Sequence, residues 1–477
     1  MKTNKSFYLT TTLPYVNADL HIGHAAEMIR ADILARYKKK QGFEVLLNTG
    51  TDEHGQKILG SAKSKDLEPQ EFVDKAFDKF KNQIEKIGLD KEVLKIIRTT
   101  DADHQKAAQE FWKRCEVNGD IYKKNYKVKY CVGCELEKTD SELVEGECPL
   151  HPGKEVEIIE EENYFFRFSK YQKALIELYN ENPEFVVPNF RLNEISKFVD
   201  RGLEDFSISR LKEKMPWGVP VPGDEDHIMY VWFDALVNYI STLDWPNDQA
   251  NFEKWWPVIQ VCGKDNLRQQ TAMWQAMLMS AGLPRSKRIY VFGFINSGGQ
   301  KMSKSIGNVI NPLEIVDEYG TDALRYYVAR HLNMYEDSDL TLGKFKEIYN
   351  ANLANGLGNL VSRVMKMAEN YLDEPVSVKE FKFSENTEKL MDDFELNHFM
   401  DYVWTNISHT DGLIQKEEPF KLVKTDPEAA KKMIIGLVER LYDISCLLEF
   451  VLPETAQKIK ELIKTNKSPE KPLFLRK

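Results

Sequence analysis

The sequence contains little cysteine and no long apolar segment. Six cysteines in 477 residues are too few for a disulfide scaffold. No run approaches the roughly 18 consecutive apolar residues that a membrane-spanning helix needs. The first twenty residues lack the apolar core of a secretion signal and the Arg/Ser bias of a transit peptide. We therefore expect a chain that works in a reducing, cytoplasmic compartment.

The chain also lacks an excess of positive charge. Its 65 lysines and arginines stand against 75 aspartates and glutamates, a net charge of -10. This balance argues against indiscriminate binding of nucleic acid, although a local basic surface remains open. Hydrophobic residues make up 42% of the chain and charged residues 29%, which is typical of a globular protein with a substantial core.

The first fifty residues predict a strand–helix–strand unit. Ser6 to Thr11 is rich in aromatic residues and threonine, as in a strand. A helical pattern starts at His21 and ends in lysines before Gly42, and a second strand follows from Phe43 to Leu47. The loop Gly50–Gly55 then leads into another helix. This alternation indicates a doubly wound parallel sheet, the α/β class.

The pattern changes further along the chain. Residues 116–225 are irregular and punctuated by Gly, Pro and Cys, which indicates an inserted domain. The α/β pattern returns at residues 229–233, 258–261 and 288–294, and after about residue 341 nearly every segment is helical in pattern. The lysine-rich tail, Lys458 to Lys477, is expected to be frayed or solvated.

A histidine pair, His21-Ile22-Gly23-His24, stands between the first strand and the first helix. Residues at i and i+3 share one face of a helical turn, and Gly23 leaves room for a ligand against the backbone. A helix N-terminus attracts phosphate, and histidines can donate hydrogen bonds to charge that develops on a phosphoryl group. Taken alone, such a pair is more often a helix cap.

A second motif, Lys301-Met302-Ser303-Lys304-Ser305, follows Gly298 and Gly299. Two lysines on a glycine-flanked loop can close over a polyphosphate and neutralise the charge of its transition state. A solvated lysine loop is the ordinary alternative.

In this order, the two motifs resemble the paired HIGH and KMSKS signatures of class I aminoacyl-tRNA synthetases. The resemblance implies a Rossmann-like catalytic fold that activates an amino acid with ATP and Mg²⁺ and then transfers it to the 3′ end of tRNA. It implies the catalytic residues His21, His24, Lys301, Lys304 and Arg210, the last from the segment Ser207–Arg210. The ATP site would comprise His21, Gly23, His24, Asp265, Lys301 and Lys304. For Arg210, a surface salt bridge is the alternative.

Further segments are similar to the methionyl-tRNA synthetases within this class: residues 13–17, the loop Gly50–Gly55, and residues 230–235 with Tyr239. The similarity implies that Asp52 binds the substrate ammonium group. It implies a side-chain pocket of Leu13, Tyr15, Trp232, Ala235, Leu236 and Tyr239. A carboxylate suits an α-amino group, and aromatic and small apolar residues suit a flexible thioether. Ordinary core packing is the alternative for the aromatic residues.

One segment departs from the family pattern. After Gly263-Lys264-Asp265, Asn266 and Gln270 stand where many relatives carry Ile and His, and that His contributes to the methionine pocket. The polar wall of the pocket is therefore left open by the sequence.

Cys131-x₂-Cys134 and Cys148-x₂-His151 fit a structural zinc knuckle. Three thiols and one imidazole in two paired turns favour tetrahedral zinc. Disulfides or free thiols are the competing interpretation, and a reducing compartment disfavours the disulfides. In the resembled family, such a knuckle lies in the connective peptide inserted into the catalytic fold. We expect one structural Zn²⁺ per chain.

The helical C-terminal part would read the anticodon, by the same resemblance. Asn359 and Arg363 are spaced i and i+4 and match family positions that contact the anticodon; an amide and a guanidinium suit base edges and stacking. Phe420, after Pro419, takes the place of a tryptophan that stacks on a base.

The expected domain boundaries follow from these assignments. They are residues 1–115 and 229–297 for the two halves of the Rossmann catalytic domain, 116–228 for the connective insertion with the knuckle, 298–344 for the KMSKS loop and stem-contact region, and 345–477 for the α-helical anticodon-binding domain. The expected partners are tRNA(Met), ATP and L-methionine, and a monomer is expected because the sequence shows no added C-terminal dimerisation module.

Two alternatives remain at this point. One is a non-catalytic tRNA-binding paralogue of the same fold, to which the changes at Asn266, Gln270 and Phe420 give some room. The other keeps the enzyme but changes the substrate to another apolar amino acid, because one methylene in an apolar pocket is worth only about 1–3 kcal/mol.

Overall fold

The computed structural model describes residues 5–134, 136–138, 142–153, 156–302 and 307–477. The chain divides into two compact units, each built from several segments. The first unit comprises Met1–Leu20, Gly42–Ile84 and Asp90–Phe292; the second comprises His21–Gln41, Glu85–Leu89 and Gly293–Lys477. Among the described residues, no helix has the length and apolar character needed to cross a membrane.

The first unit carries most of the strands. They are β1 Ser6–Thr10, β2 Glu44–Thr51, β3 Leu94–Arg98, β4 Ile121–Cys131, β5 Leu136–Lys138, β6 Val156–Phe166, β7 Val186–Val187, β8 Phe206–Ser207, β9 Ser209–Leu211, β10 Pro220–Val221, β11 Asp224–Met229, β12 Ile259–Gly263 and β13 Arg288–Phe292. The second unit carries β14 Ile295–Ser297, β15 Gln300–Lys301 and β16 Ser338–Asp339.

Helices connect these strands and form most of the second unit. They are α1 Ile22–Lys40, α2 Gln56–Ser64, α3 Pro69–Lys86, α4 Ala102–Val117, α5 Gln172–Glu181, α6 Asn189–Asp200, α7 Val231–Leu236, α8 Asn238–Ser241, α9 Gln249–Trp255, α10 Trp274–Ser280, α11 Pro312–Tyr319, α12 Thr321–Arg330, α13 Leu342–Ile348, α14 Asn359–Tyr371, α15 Glu385–Asp392, α16 Leu396–Glu417, α17 Pro419–Leu422, α18 Pro427–Leu448 and α19 Pro453–Thr465.

The first unit is organised around a six-stranded parallel sheet in the order β3-β2-β1-β12-β13-β7. Strand order reverses on either side of β1, because the chain first moves outward to β2 and β3 and later returns to β12 on the other edge of β1. Such a switch point is where open α/β sheets place their ligands. The doubly wound sheet predicted from the alternating strand and helix patterns is confirmed.

Part of the predicted insertion, residues 116–228, forms a long antiparallel hairpin. Strands β4 and β6 pair over eleven residues, from Ile121 opposite Phe166 to Cys131 opposite Val156. Strands β5 and β8 extend this sheet on its two sides. Cys131 ends β4, so the cysteine motif lies at the far end of the hairpin from the residues that enter it.

One apolar segment that the sequence pattern assigned to the α/β sheet, residues 229–233, is partly helical. The α/β pattern at residues 229–233 is the end of β11 followed by the start of helix α7 at Val231. Val231 and Phe233 are buried in the same core as strand residues such as Val291. Periodicity cannot separate a short buried helix from a buried strand when every residue is apolar.

The second unit is largely helical from α11 onward. Its buried Arg325 holds three segments together: it contacts the carboxylate of Asp32 on α1 at 2.7 Å and donates to the carbonyls of Phe450 and Val451 at 3.0 and 2.8 Å. Both charged side chains are fully buried, and the Asp32 carboxylate also accepts from Arg36 Nε at 2.7 Å, so the two arginines compensate this buried charge. Helix α1 is thereby joined to the C-terminal helices within this unit.

The expectation of a frayed C-terminal tail was wrong. Helix α19 continues to Thr465, and Ile459 and Ile463 on it are buried. Beyond the helix, Phe474 is only 7% exposed, and the Tyr349 hydroxyl donates to the carbonyl of Leu475 at 2.9 Å. The many lysines suggested a solvated tail, but its few apolar side chains are buried, and this burial stabilises the tail.

Candidate active site and metal centre

His21 is the N-cap of helix α1. Its Nδ1 accepts hydrogen bonds from the backbone N–H groups of Gly23 and His24, at 3.0 and 3.4 Å. An Nδ1 that accepts places the ring proton of a neutral imidazole on Nε2. A Cβ at position 23 would lie 2.8 Å from the His21 ring, so glycine is required there by the cap itself. The capping interpretation and the donor interpretation of this histidine are therefore compatible.

The two imidazole rings of the motif stack, with centroids 3.7 Å apart. The pKa of His21 is lowered to about 4, chiefly by burial and in smaller part by the positive charge of Lys301. Burial also lowers the pKa of His24 well below its usual range, with the adjacent His21 as the second cause. Both rings are consequently neutral near pH 7. A neutral imidazole with its proton on Nε2 is a hydrogen-bond donor that carries no charge of its own.

Lys301 lies on strand β15, at the end of a hairpin rather than on a loop. The turn is formed by Gly298 and Gly299, both with positive φ, and the N–H of Gly299 donates to Asp339 at 2.8 Å. The Lys301 ammonium lies 5.2 Å from the centroid of the Phe294 ring. Lys304 lies outside the described residues. The backbone of Lys301, the first lysine of the motif, is thus held in a short strand.

Asp52 follows strand β2 directly, at the carboxyl end of the sheet. Its N–H donates to the carbonyl of Pro14 at 3.0 Å, and its backbone forms a parallel bridge with Tyr15. The structure therefore brings the predicted ammonium ligand beside the predicted pocket residue that precedes helix α1. Asp52 is 6% exposed, while Leu13 and Tyr15 are half-buried.

The next residue, Glu53, holds this loop in place through buried hydrogen bonds. Its fully buried carboxylate accepts from Arg98 Nε at 2.9 Å and from the Thr51 hydroxyl at 2.7 Å. Its carbonyl accepts from the Trp217 indole at 2.6 Å. Charge-assisted hydrogen bonds of this kind hold a loop in one geometry. Sequence reasoning had assigned no role to Glu53.

The other predicted pocket residues lie on helices α7 and α8. Leu236 and Tyr239 are buried, whereas Trp232 and Ala235 are half-buried. The Trp232 indole nitrogen is buried and has no hydrogen-bond acceptor among the described residues. Trp232 and Ala235 thus lie on the more exposed side of these helices, and Leu236 and Tyr239 pack into the core.

Gln270, which the sequence left without a role, is hydrogen-bonded to the predicted pocket residue Tyr239. Its side-chain amide donates to the Tyr239 hydroxyl at 2.6 Å, and its oxygen accepts from Gln260 at 3.0 Å. The chain of bonds continues from Gln260 to Ser286 and Gln275. A buried, fully connected polar network of this kind specifies a single arrangement. The substitution at 270 is thus integrated into the core and orients Tyr239.

Asp265 lies just past strand β12, in a short 3₁₀ turn over Lys264–Asn266, and is exposed. A Cβ at Gly263 would lie 2.6 Å from the Asp265 carboxylate. Glycine at 263 therefore lets this carboxylate fold back over the end of the strand, at the edge of the sheet where ligands bind.

Arg210 is buried between two aromatic rings. Its guanidinium carbon lies 4.7 Å from the Tyr230 ring centroid and 5.2 Å from that of Tyr130. Its Nη1 donates to the Ser207 hydroxyl at 2.7 Å and to the Ser209 carbonyl at 2.6 Å. Arg210 is 7% exposed, so it does not lie at the surface, as the salt-bridge alternative would require. Arg210 also lines a cavity of about 110 Å³ together with Gly55 and Gln56.

The four predicted metal ligands converge. The sulfurs of Cys131, Cys134 and Cys148 and a ring nitrogen of His151 all lie within 4.8 Å of one another. Cys134 Sγ is 3.4 Å from Cys148 Sγ and 3.2 Å from His151 Nδ1. These are the separations of ligands around one small cation. The cluster could hold a metal ion, and no disulfide joins the described cysteines.

The three predicted anticodon residues lie in the second unit. Asn359 starts helix α14 and is exposed. Arg363, one turn later, is half-buried and forms an ion pair with Asp411 of α16. Phe420 on α17 is 41% exposed. The spacing had indicated that Asn359 and Arg363 share a helix face; the pairing of Arg363 with Asp411 is a long-range contact that the spacing could not show.

Comparison with known proteins decides the family. The family model described as class I tRNA synthetases (M) matches residues 7–156 and 150–365. The methionine–tRNA ligase of Thermotoga maritima is 38% identical, over 98% of this chain and 76% of the relative. The chain belongs to the class I methionyl-tRNA synthetases. The methionine–tRNA ligase of a Nostoc species is 46% identical, over 78% of this chain and 70% of the relative.

Solved methionyl-tRNA synthetases share the fold along nearly the whole chain. A Mycobacterium tuberculosis methionyl-tRNA synthetase, in complex with methionyl-adenylate, superposes with a TM-score of 0.89 at 34% identity, over 96% of this chain and 93% of that chain. The resemblance predicted from the HIGH and KMSKS motifs is therefore confirmed, as are the fold class and the assignment to an aminoacyl-tRNA synthetase of the methionine type. The individual site residues and the domain boundaries remain predictions.

Proposed function

We propose that this family member is a methionine–tRNA ligase with an active catalytic site. A carboxylate oxygen of L-methionine attacks the α-phosphorus of ATP, which enters with Mg²⁺, and pyrophosphate leaves. A hydroxyl of the 3′-terminal adenosine of tRNA(Met) then attacks the acyl carbon, and AMP leaves. The observation that carries the proposal is the 38% identity to a methionine–tRNA ligase across 98% of the chain.

In the first unit, Asp52 would bind the methionine ammonium group. Its position at the end of β2, beside the backbone of Tyr15, supports this role. The half-buried Trp232 and Ala235, with Leu13, would contact the thioether, while Leu236 supports them from the core. The Tyr239 hydroxyl, oriented by Gln270, supplies the polar wall. Gln270 is thus compatible with a methionine pocket.

In the second unit, His21 and His24 would act as uncharged donors to the phosphates of ATP. The capping bond at His21 Nδ1 leaves the Nε2–H to donate, and stacking restricts both rings. Gly23 would belong to this ATP site, and its missing Cβ leaves room for the His21 ring. Lys301 would add positive charge, together with Lys304, where charge increases in the transition state. In the first unit, Asp265 would bind the ribose, and Arg210 would face the adenylate.

The Cys₃His cluster would hold a structural Zn²⁺. Its three sulfurs and one imidazole nitrogen match the ligand set that zinc prefers, and their separations suit a tetrahedral ion. A bound zinc would fix the end of the hairpin formed by β4 and β6. Asn359, Arg363 and Phe420 would contact the anticodon of tRNA(Met), in a helical domain of residues 345–477, and the insertion would span 116–228.

The decisive experiment is ATP–pyrophosphate exchange with each of the twenty amino acids, followed by aminoacylation of tRNA(Met). Exchange with methionine alone, and charging of tRNA(Met), would support the proposal. Exchange with another amino acid would keep the class I mechanism and overturn the pocket assignment. Folded, zinc-loaded protein that retains tRNA without any exchange would support the non-catalytic paralogue instead.

A further inference from the structure

A fully buried carboxylate joins the two sides of the proposed methionine pocket. Asp234 lies on helix α7, and its side chain has no exposed surface. One oxygen, Oδ2, lies 3.1 Å from His54 Nδ1; the other, Oδ1, lies 3.7 Å from His104 Nε2. The second separation is longer than a hydrogen bond, so His104 acts on the Asp234 carboxylate mainly as a nearby polar group.

The two imidazoles belong to different parts of the first unit. His54 lies two residues after Asp52, in the loop that follows β2. His104 lies on α4, and its Nδ1 contacts the Ser241 hydroxyl of α8 at 2.9 Å. A single carboxylate therefore links the Asp52 loop, α4, α7 and α8. Helix α7 is only six residues long, so its own backbone bonds do little to fix it.

The neighbours of Asp234 along the chain are pocket residues. Trp232 precedes it by two positions and Ala235 follows it directly, whereas Phe233 faces the aromatic core at 5.2 Å from Trp112. His54 is packed edge-on against Trp217 at 5.6 Å, and Trp217 also bonds the Glu53 carbonyl. A shift of the carboxylate would move the loop that carries Asp52 relative to the helix that carries Trp232.

Asp234 itself is unsuited to contact a substrate. Burial by itself raises the pKa of the carboxyl, but the nearby His54 and His104 more than offset this and lower the pKa below its usual value. A buried anion of this kind requires its partners, and removing one of them leaves an uncompensated charge. Its influence on the reaction must therefore pass through the groups it holds in place.

We infer that Asp234 is a positioning residue for methionine binding: its buried carboxylate sets the spacing between the Asp52 loop and helix α7. The inference rests on the proposed function, because it takes Asp52 and Trp232 as methionine ligands. It goes beyond that function by naming the group that holds the ammonium site and the side-chain site in register.

The test is Asp234→Asn in methionine-dependent ATP–pyrophosphate exchange. The amide keeps the side-chain shape, but it removes the charge and points an NH₂ group toward one imidazole. We expect the KM for methionine to rise by about tenfold or more, because small displacements of binding groups are costly. The KM for ATP and kcat should stay within about threefold of wild type, a split that a loss of folded protein would not produce.

A matched control is Asp120→Asn. Asp120 is equally buried in the same unit and is bound by Lys170, Tyr171 and Ser280, none of which is a proposed pocket residue. This variant should lose thermal stability without a change in the KM for methionine. An equal rise in both variants, or no rise in Asp234→Asn, would overturn the inference.

A second variant covers the case in which Asp234→Asn fails to fold. His54→Gln leaves the carboxylate and removes its closest partner, so the KM for methionine should again rise while the KM for ATP does not. An unchanged KM for methionine in this variant would also overturn the inference. A wild-type protein without methionine-dependent exchange would overturn the proposed function first, and calorimetric titration of methionine into wild type and variants would then decide the role of Asp234 separately.

Discussion

The His21 ring accepts the backbone N–H of Gly23 through Nδ1 at 3.0 Å and stacks on the His24 ring at 3.7 Å. One side chain thereby starts helix α1 and orients its own Nε2–H. The cap and the proposed catalytic donor use opposite nitrogens of the same imidazole, so a substitution can be chosen that removes one role and keeps the other.

The variant His21→Asn separates the two roles. Asparagine is a good N-cap, and its side-chain oxygen can accept from Gly23 or His24, so the free energy of unfolding at pH 7.5 should change by less than about 1 kcal/mol. Loss of the Nε2–H donor should reduce kcat for ATP–pyrophosphate exchange by about 10²- to 10³-fold. His21→Ala is the comparison variant and should lose both the cap and the activity. Wild-type exchange by His21→Asn would exclude the donor role.

The pH dependence of stability should also depend on His21. Burial lowers its pKa from 6.5 to about 4, so the folded state binds fewer protons than the unfolded state at intermediate pH. Stability is therefore full above about pH 6.5 and falls as the pH drops toward 4, with about 2 kcal/mol lost from this residue between pH 7.5 and pH 5. Urea unfolding of wild type and His21→Asn at both pH values would measure it: the variant should show the smaller loss. Equal losses would contradict the burial of a neutral ring.

Arg210 should not tolerate lysine. The guanidinium lies between Tyr130 and Tyr230 and donates from Nη1 to Ser207 and Ser209, which an ammonium cannot do with the same geometry. We expect Arg210→Lys to lower kcat/KM for ATP by at least about tenfold. Arg167→Lys is the control, because Arg167 is exposed and lies over the Tyr122 ring at 4.3 Å. A similar loss in both variants would argue against a specific role for Arg210.

We expect zinc binding to depend on the four residues of the Cys₃His cluster and not on the other cysteines. Cys148→Ser should lower zinc from about one ion per chain to well below it, and should expose the hairpin to proteolysis, because metal binding and local folding are coupled. Cys115→Ser changes a buried cysteine outside the cluster and should keep the full zinc content. Metal analysis after dialysis measures both. Full occupancy in Cys148→Ser would contradict the ligand assignment.

The anticodon prediction can be isolated from amino-acid activation. Arg363→Ala should raise the KM for tRNA(Met) in aminoacylation by about tenfold, as expected for loss of one base contact worth about 1–3 kcal/mol, and should leave ATP–pyrophosphate exchange unchanged. Lys366→Ala removes one positive charge from the same helix at a side chain that is 61% exposed. If both variants raise the KM for tRNA(Met) equally, the loss of positive charge explains the effect and Arg363 makes no specific contact. Asp411→Asn, which removes the ion-pair partner of Arg363, should give an intermediate result.

Much of this protein was determined by local sequence. The strand before His21, the helix after it, the strand before Asp52 and the helical spacing of Asn359 and Arg363 are all short-range patterns, and the structure agrees with each. The Cys₃His cluster was also predictable, because its two paired turns match the ligand spacing typical of a structural zinc site, and the structure brings the four residues together. Motif order was enough to place the chain in its family.

Tertiary structure decided what lies far apart in sequence. The contact of His54 with Asp234 spans 180 residues, that of Arg363 with Asp411 spans 48, and that of Gln270 with Tyr239 spans 31. Buried polar groups must find partners when they leave water, but the sequence does not say which partner is near. The packing of Phe474, which overturned the frayed tail, has the same origin. Periodicity determines which face of an element is apolar, and only the folded chain determines what that face and its buried charges meet.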